Sequence, residues 1–231
     1  MKFISIGPTC GTVTDLLRHN LREESYPFDY LFSSLEMVQH CIEDEFNIFL
    51  DKKYFIQNEK IRNSIQHSFY SNFITTDCLK QHHLLEYKKY VPKYIDCNRI
   101  NKDDLIIIED SGEIIISKFP RDIFLHFNLF DNNIYESFVR KCNRFMNIIK
   151  NEQVCLVYTN PYNKNIDDII RFSEYVKKYK NIFLIGILQN NDEPKIIQQS
   201  PISNDDTCNC KIYQNYDYQY IISDVVNVFG K

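Results

Sequence analysis

Three short stretches carry residue types able to do chemistry. Gly7-Pro8-Thr9-Cys10-Gly11 places a thiol after the apolar residues Phe3, Ile4 and Ile6 and before Val13, Leu16, Leu17 and Leu21, which recur at helical spacing. A cysteine at such a strand–helix corner lies against the unpaired N–H groups that open the helix. Their positive field lowers a thiol pKa and favours the thiolate, which is the nucleophile. Thr9 and Gly11 flank it, and Gly11 leaves room for a substrate; the plainer alternative is that Cys10 simply fills the corner. In Tyr26-Pro27-Phe28-Asp29-Tyr30, Asp29 can orient a histidine or take a substrate hydroxyl, or it can do no more than cap a turn. In Phe124-Leu125-His126-Phe127-Asn128, an imidazole ends an apolar run with an amide two residues on. His126 is the last histidine of the chain, and a cysteine hydrolase needs an imidazole beside its thiol. A histidine so placed is more often a hydrogen-bonded core residue than a base. Arg140 and Arg144, one helical turn apart, can take a carboxylate or phosphate bidentately or form a solvated face.

These groups need elements to hold them. Lys2 to Gly7 reads as a buried strand stopped by Gly7-Pro8, and 12–21 as a helix. Ser34 to about Phe46 reads as a second helix, with Ser33, Ser34 and Glu36 giving a capped start. Residues 50–100 are aromatic, basic and poorly periodic, which predicts an irregular insertion of short helices and loops. Leu105–Ile108 and Ile114–Ile116 read as a β-hairpin, and Ile123 to His126 as another strand candidate. Ile134, Phe138, Cys142, Phe145 and Ile149 then form a helical stripe, followed by a strand over Val154–Tyr158. Ile166, Ile169, Ile170, Ser173 and Val176 mark another helix, Ile182–Leu188 a doubly buried strand, and Ile212-Tyr213 a last short strand. A closing helix runs from Tyr220 to Phe229, and 189–209 reads as a long surface loop. Alternation of apolar strands with helices predicts one α/β domain over 1–231. Its mostly parallel sheet is flanked by helices in a Rossmann-like three-layer arrangement, with the hairpin and the aromatic insertion added.

Composition narrows the function classes. A net charge of −4 over 231 residues gives no electrostatic reason to hold nucleic acid or an anionic membrane. No apolar run approaches the ~18–20 residues that span a bilayer. The first ten residues lack a charged-then-apolar leader layout, so a cytoplasmic location is expected. The chain contains 32 Ile, 23 Asn and no Ala. An AT-rich genome, viral or low-GC bacterial, writes that bias, so Ile frequency is discounted as structural information. Eight cysteines at irregular spacing read as reduced thiols, with Cys142 and Cys155 as small core residues. Cys208-Asn209-Cys210 lacks the further ligands of a zinc site. No phosphate loop, GxGxxG or GxSxG is present, so no metal or cofactor is expected.

Taken together these pieces resemble a family described as papain-like cysteine peptidases, of unknown function, in bacteria and large DNA viruses. The resemblance rests on Ile4-Ser5-Ile6-Gly7-Pro8-Thr9-Cys10, Leu16-Leu17-Arg18, Tyr26-Pro27-Phe28-Asp29-Tyr30, Phe46-Asn47-Ile48-Phe49-Leu50, the strand ending at His126, and Arg140 to Phe145 before Val154-Cys155-Leu156-Val157. It covers about residues 2–160. It implies Cys10 as nucleophile, His126 as its base, and Asp29 or Asn128 as the group that orients the base. Where the family carries Asp after the histidine this chain has Phe127, so that role is unfilled or falls to Asn128 or Asp131. Two other classes compete with a thiol hydrolase or transferase. A nucleotide-sugar transferase would use Cys10 and Gly11 as a phosphate-binding helix start, Asp29 for a sugar hydroxyl or base, and Arg140 or Arg144 for the diphosphate. A binding module would have lost its chemistry. The small-molecule or peptide substrate and the oligomeric state are not specified by these residues.

Overall fold

The computed structural model describes residues 1–57, 65–70, 73, 105–108, 113–116, 122–124, 126–160, 166–188, 195–199, 210–214 and 218–229. The chain begins with Lys2–Ser5 (β1), and Cys10–Arg18 (α1) follows at once, two residues earlier than the apolar spacing predicts. The early start has a local cause: Thr9 is extended and its hydroxyl accepts from the Gly11 N–H, which caps the helix. Leu35–Glu43 (α2) is capped by Ser34, whose side chain accepts from the Met37 N–H. A single turn, Asn47–Leu50 (α3), then leads into Phe55–Gln57 (β2) and Ile65–His67 (β3). The hairpin read from the sequence is present as Leu105–Ile108 (β4) and Glu113–Ile116 (β5), paired antiparallel with Leu105 opposite Ile116. Asp122–Phe124 (β6) precedes the long helix Asn132–Asn151 (α4), which Asp131 caps by accepting from the N–H groups of Asn133 and Ile134. The rest alternates: Val154–Asn160 (β7), Asp167–Val176 (α5), Ile182–Leu188 (β8), Lys195–Gln199 (β9), Cys210–Gln214 (β10) and Tyr218–Phe229 (α6).

The main sheet has the order β1-β7-β8-β10-β9. Its first four strands are parallel, with Lys2 opposite Val154 and Val154 opposite Ile182. The predicted α/β fold, a mostly parallel sheet with helices, is therefore the observed one. Only β9 runs antiparallel, on the β10 edge, within the stretch that the composition marks as a loop. Every residue of β8 is buried, and its side chains alternate between two cores as a doubly covered strand requires. One core joins Ile4, Leu156, Leu184 and Ile212 of the sheet to Val38, Phe138 and Ile169 of α2, α4 and α5. The other joins Phe3, Val157, Phe183, Ile185 and Tyr213 to Leu16 of α1 and to Ile221 and Val225 of α6. Among the described residues no helix is long and apolar enough to cross a membrane.

A second, small sheet of order β2-β3-β6 extends the first core. Here lie the described parts of the aromatic insertion; 58–64, 71–72 and 74–100 fall outside the described residues. Rings interlock edge to face: Phe28 against Phe145 at 5.6 Å, Phe124 against Phe138 at 5.5 Å, and Phe46 against Phe49 at 5.4 Å. Within this layer His67 is fully buried. Its Nε2 lies 3.1 Å from the Ile48 carbonyl and its Nδ1 accepts from the Tyr70 N–H, which fixes a neutral imidazole with the proton on Nε2. Burial pushes its pKa down to about 4. The unfolded chain therefore takes up a proton that the folded chain refuses. The contribution of His67 is present in full above its unfolded value near 6.5 and is lost as pH falls towards about 4. The loss amounts to at most about 3 kcal/mol. Urea midpoints measured across that window should fall with pH in the wild type and fall less steeply in His67→Gln; equal slopes would show that His67 is not the group titrating.

Candidate active site

The corner after β1 is built by hydroxyl groups and close backbone contacts. Gly7 has φ +114°, a conformation that side chains rarely adopt. A Cβ placed on it would stand 2.0 Å from the Ser33 Oγ. Ser33 sits so close because its hydroxyl donates to the Ile6 carbonyl at 3.0 Å and its N–H to the Pro8 carbonyl at 3.1 Å. Thr12 donates to the Gly7 carbonyl at 2.6 Å and accepts from the Thr159 N–H, which ties the first turn of α1 to the carboxyl end of β7. The residue before Ser33 is bound as well: the Phe32 N–H donates to the Ile123 carbonyl in β6. Three elements (α1, α2 and β6) thus hang from one point at the carboxyl edge of the parallel sheet, where ligands of such sheets bind.

Cys10 opens α1 at this corner and is half-buried. The other described cysteines, Cys41, Cys142, Cys155 and Cys210, are buried. Burial pushes the thiols of Cys41, Cys142 and Cys155 up, so none of these three forms a thiolate near neutrality. Among the described cysteines, Cys10 is the one that solvent or a substrate can reach. Gly11 leaves space beside it, since a Cβ there would meet only the Thr9 hydroxyl, at 3.4 Å.

The remaining sequence candidates divide. His126 lies on the turn beyond β6, because the strand ends at Phe124. Its side chain is exposed and makes no hydrogen bond among the described residues. Asn128 accepts from the Phe130 N–H and shapes the turn that leads to α4. Asp29 is buried, and one carboxylate oxygen accepts from Arg22 Nε at 3.0 Å, Arg22 Nη2 at 2.8 Å and the Tyr26 N–H at 2.9 Å. The other oxygen has no hydrogen-bond partner among the described residues. Burial raises the Asp29 pKa against the opposing pull of the Tyr26 N–H and Arg22. Neither Asp29 nor Asn128 is hydrogen-bonded to His126, so the expected orienting contact is not formed. Arg144 donates to the Ser25 carbonyl at 2.8 Å and pairs with Glu24 at 3.3 Å, which fastens α4 to the turn that carries Asp29. Arg140 is exposed on α4.

A cavity of about 480 Å³ lies at the same sheet edge, between α2 and α5. Ser34, Glu36, His40 and Glu43 line it from α2, Tyr158 from β7, and Asp168, Arg171 and Phe172 from α5. In the sequence Ser34 and Glu36 read only as a capped helix start, and nothing marks this set of residues as a site. The available signal was the spacing of Glu36, Gln39, His40 and Glu43, which puts them on one face of α2 opposite buried Val38, Cys41 and Ile42.

Fold and site together define a three-layer α/β protein with a thiol at the strand–helix corner of its edge strand. The chain belongs to the family described as "Putative papain-like cysteine peptidase (DUF1796)", which matches residues 1–181. That span takes in the Cys10 corner, the Asp29 turn, His126 and every residue lining the cavity. No curated protein and no solved structure matches the chain.

Two substitutions test this construction. Gly7→Ala forces a clash and a disfavoured φ at once, and should lower stability by roughly 3 kcal/mol; an urea midpoint near wild type would refute the clamp. Arg22→Ala strands the buried Asp29 charge and should cost about 3–5 kcal/mol. A loss well under 1 kcal/mol would mean that the pair carries little of the turn's stability.

Proposed function

We propose that the protein is a cysteine-dependent acyl hydrolase or transferase with Cys10 as its nucleophile. The observation that carries this reading is the half-exposed Cys10 at the start of α1, alone among described thiols that are otherwise buried. Membership of a family described as cysteine peptidases supports it. In this reading the Cys10 sulfur attacks an acyl carbon, and His126 takes the thiol proton and returns it to the leaving group. Water then cleaves the thioester, or a second nucleophile accepts the acyl group. N–H groups opening α1 stabilise the oxyanion. His126 is the base that the family resemblance points to, and one chain of bonds favours it. The Ile123 carbonyl, three residues before His126, holds Phe32, and neighbouring Ser33 holds Pro8, two residues before Cys10. A base need not be hydrogen-bonded to its nucleophile before substrate arrives. A nucleotide-sugar reading is weaker, because Arg144 is already engaged and the cavity is lined by Glu36, Glu43 and Asp168.

The test is alkylation of the native protein with a limiting thiol probe across pH, with the modified residue mapped by mass spectrometry. Fast labelling confined to Cys10, with a thiol pKa below the usual ~8.5, is expected, and His126→Ala should raise that pKa. Slow labelling spread over several cysteines would end the nucleophile reading.

A further inference from the structure

We infer that the cavity between α2 and α5 is the specificity pocket of this site and accepts an organic cation, the ammonium or guanidinium group of the substrate. The inference rests on the Cys10 reading only in calling the occupant a substrate; the cation preference stands on the cavity itself. Its volume of about 480 Å³ suits a side chain or small ligand. Tyr158, Phe73 and Phe172 supply aromatic surface, against which a cation is attracted by the ring quadrupole.

Charge points the same way. Three carboxylates, Glu36, Glu43 and Asp168, face one guanidinium, Arg171. Asp168 pairs with Arg171, so its charge is answered within α5. Among the described residues Glu43 accepts only the neutral amide of Gln39, at 3.1 Å. Glu36 has no hydrogen bond or ion pair among the described residues, although its field reaches Arg171. Among the described residues two carboxylates thus remain without a full partner beside an aromatic wall, an arrangement that attracts a cation and repels phosphate or carboxylate ligands. The cavity and the reacting corner are linked along the chain at the carboxyl edge of the sheet. Ser34 lines it one residue after the Ser33 clamp, and Tyr158 lines it one residue before Thr159, which is bonded to Thr12. A substrate with its acyl carbon at Cys10 would then place a basic group in the cavity.

The test uses full-length Cys10→Ala, which binds without turnover, titrated by calorimetry with matched probes. Nα-acetyl-lysine amide and Nα-acetyl-arginine amide supply the two cations, and Nα-acetyl-norleucine amide and Nα-acetyl-glutamate amide the neutral and anionic controls. Both or one of the cations should bind at least roughly tenfold more tightly than either control, and the lysine and arginine arms decide between ammonium and guanidinium. Glu36→Gln with Glu43→Gln should remove that preference, and Arg171→Gln should strengthen cation binding, a gain that damaged folding cannot mimic. Equal binding of the norleucine or glutamate probe, or no binding of either cation at millimolar concentration, would overturn the assignment. Cys10 labelling is read separately on the wild type. Cation binding beside an inert Cys10 would leave a cation site but no catalyst, whereas a fast Cys10 without cation preference would leave the catalyst and remove this pocket.

Discussion

Everything at the carboxyl edge of the sheet depends on how closely Ser33 approaches Gly7. The contact leaves no space for a side chain at position 7, and two hydrogen bonds from Ser33 hold the backbone on both sides of it. From that point α1 leaves along one face of the sheet and α2 begins on the other. The adjacent residue, Phe32, carries the restraint on to β6. A strand edge, two helix starts and a turn with an exposed imidazole are thus positioned by the approach of one serine to one glycine, with no ionic contact in the set.

Beyond this corner the protein buries polar groups in two different ways. Asp29 is held by Arg22 and the Tyr26 N–H against desolvation, which pushes its pKa up. His67 stays neutral and spends both ring nitrogens on backbone groups. Both sit next to the interlocked aromatic rings, which accept a polar group only when its partners are fixed. The same layer holds Phe46 at φ 63°, a conformation unusual for a bulky residue. The Asp44 carboxylate accepts from the N–H groups of Phe46 and Ile48, and so keeps the chain in the reversal that delivers Phe46 and Phe49 to the core.

Elements with a long, regular apolar period were legible in the sequence. β8, α4 and α5 all follow from spacing alone, and so does the mostly parallel character of the sheet, though not its strand order. β9 was not legible, because an edge strand of Lys195-Ile196-Ile197-Gln198-Gln199 does not alternate cleanly and lies in a polar stretch. The position of Cys10 could be read because Gly-Pro punctuation and a helical stripe bracket it. The roles of Asp29 and Arg144 could not, since their partners Arg22 and Glu24 are set by a turn whose shape depends on Phe28 entering the aromatic core. The cavity was hidden for a similar reason: its two walls come from α2 and α5, more than a hundred residues apart in the chain, and periodicity records one wall at a time.

The Ser33 clamp also bears on how acidity acts on this protein. Thr9, Thr12 and Ser33 hold the corner through hydroxyls and backbone amides. Those groups neither gain nor lose protons under the conditions that a folded protein survives. The buried titratable groups identified in the scaffold, His67 in the aromatic layer and Asp29 in its turn, are bonded to Ile48, Tyr70, Arg22 and Tyr26 rather than to Thr9, Thr12 or Ser33. While the chain remains folded, the mounting of Cys10 is thus insulated from pH. A titration followed at the corner reports the reacting groups themselves rather than distortion of the frame that carries them.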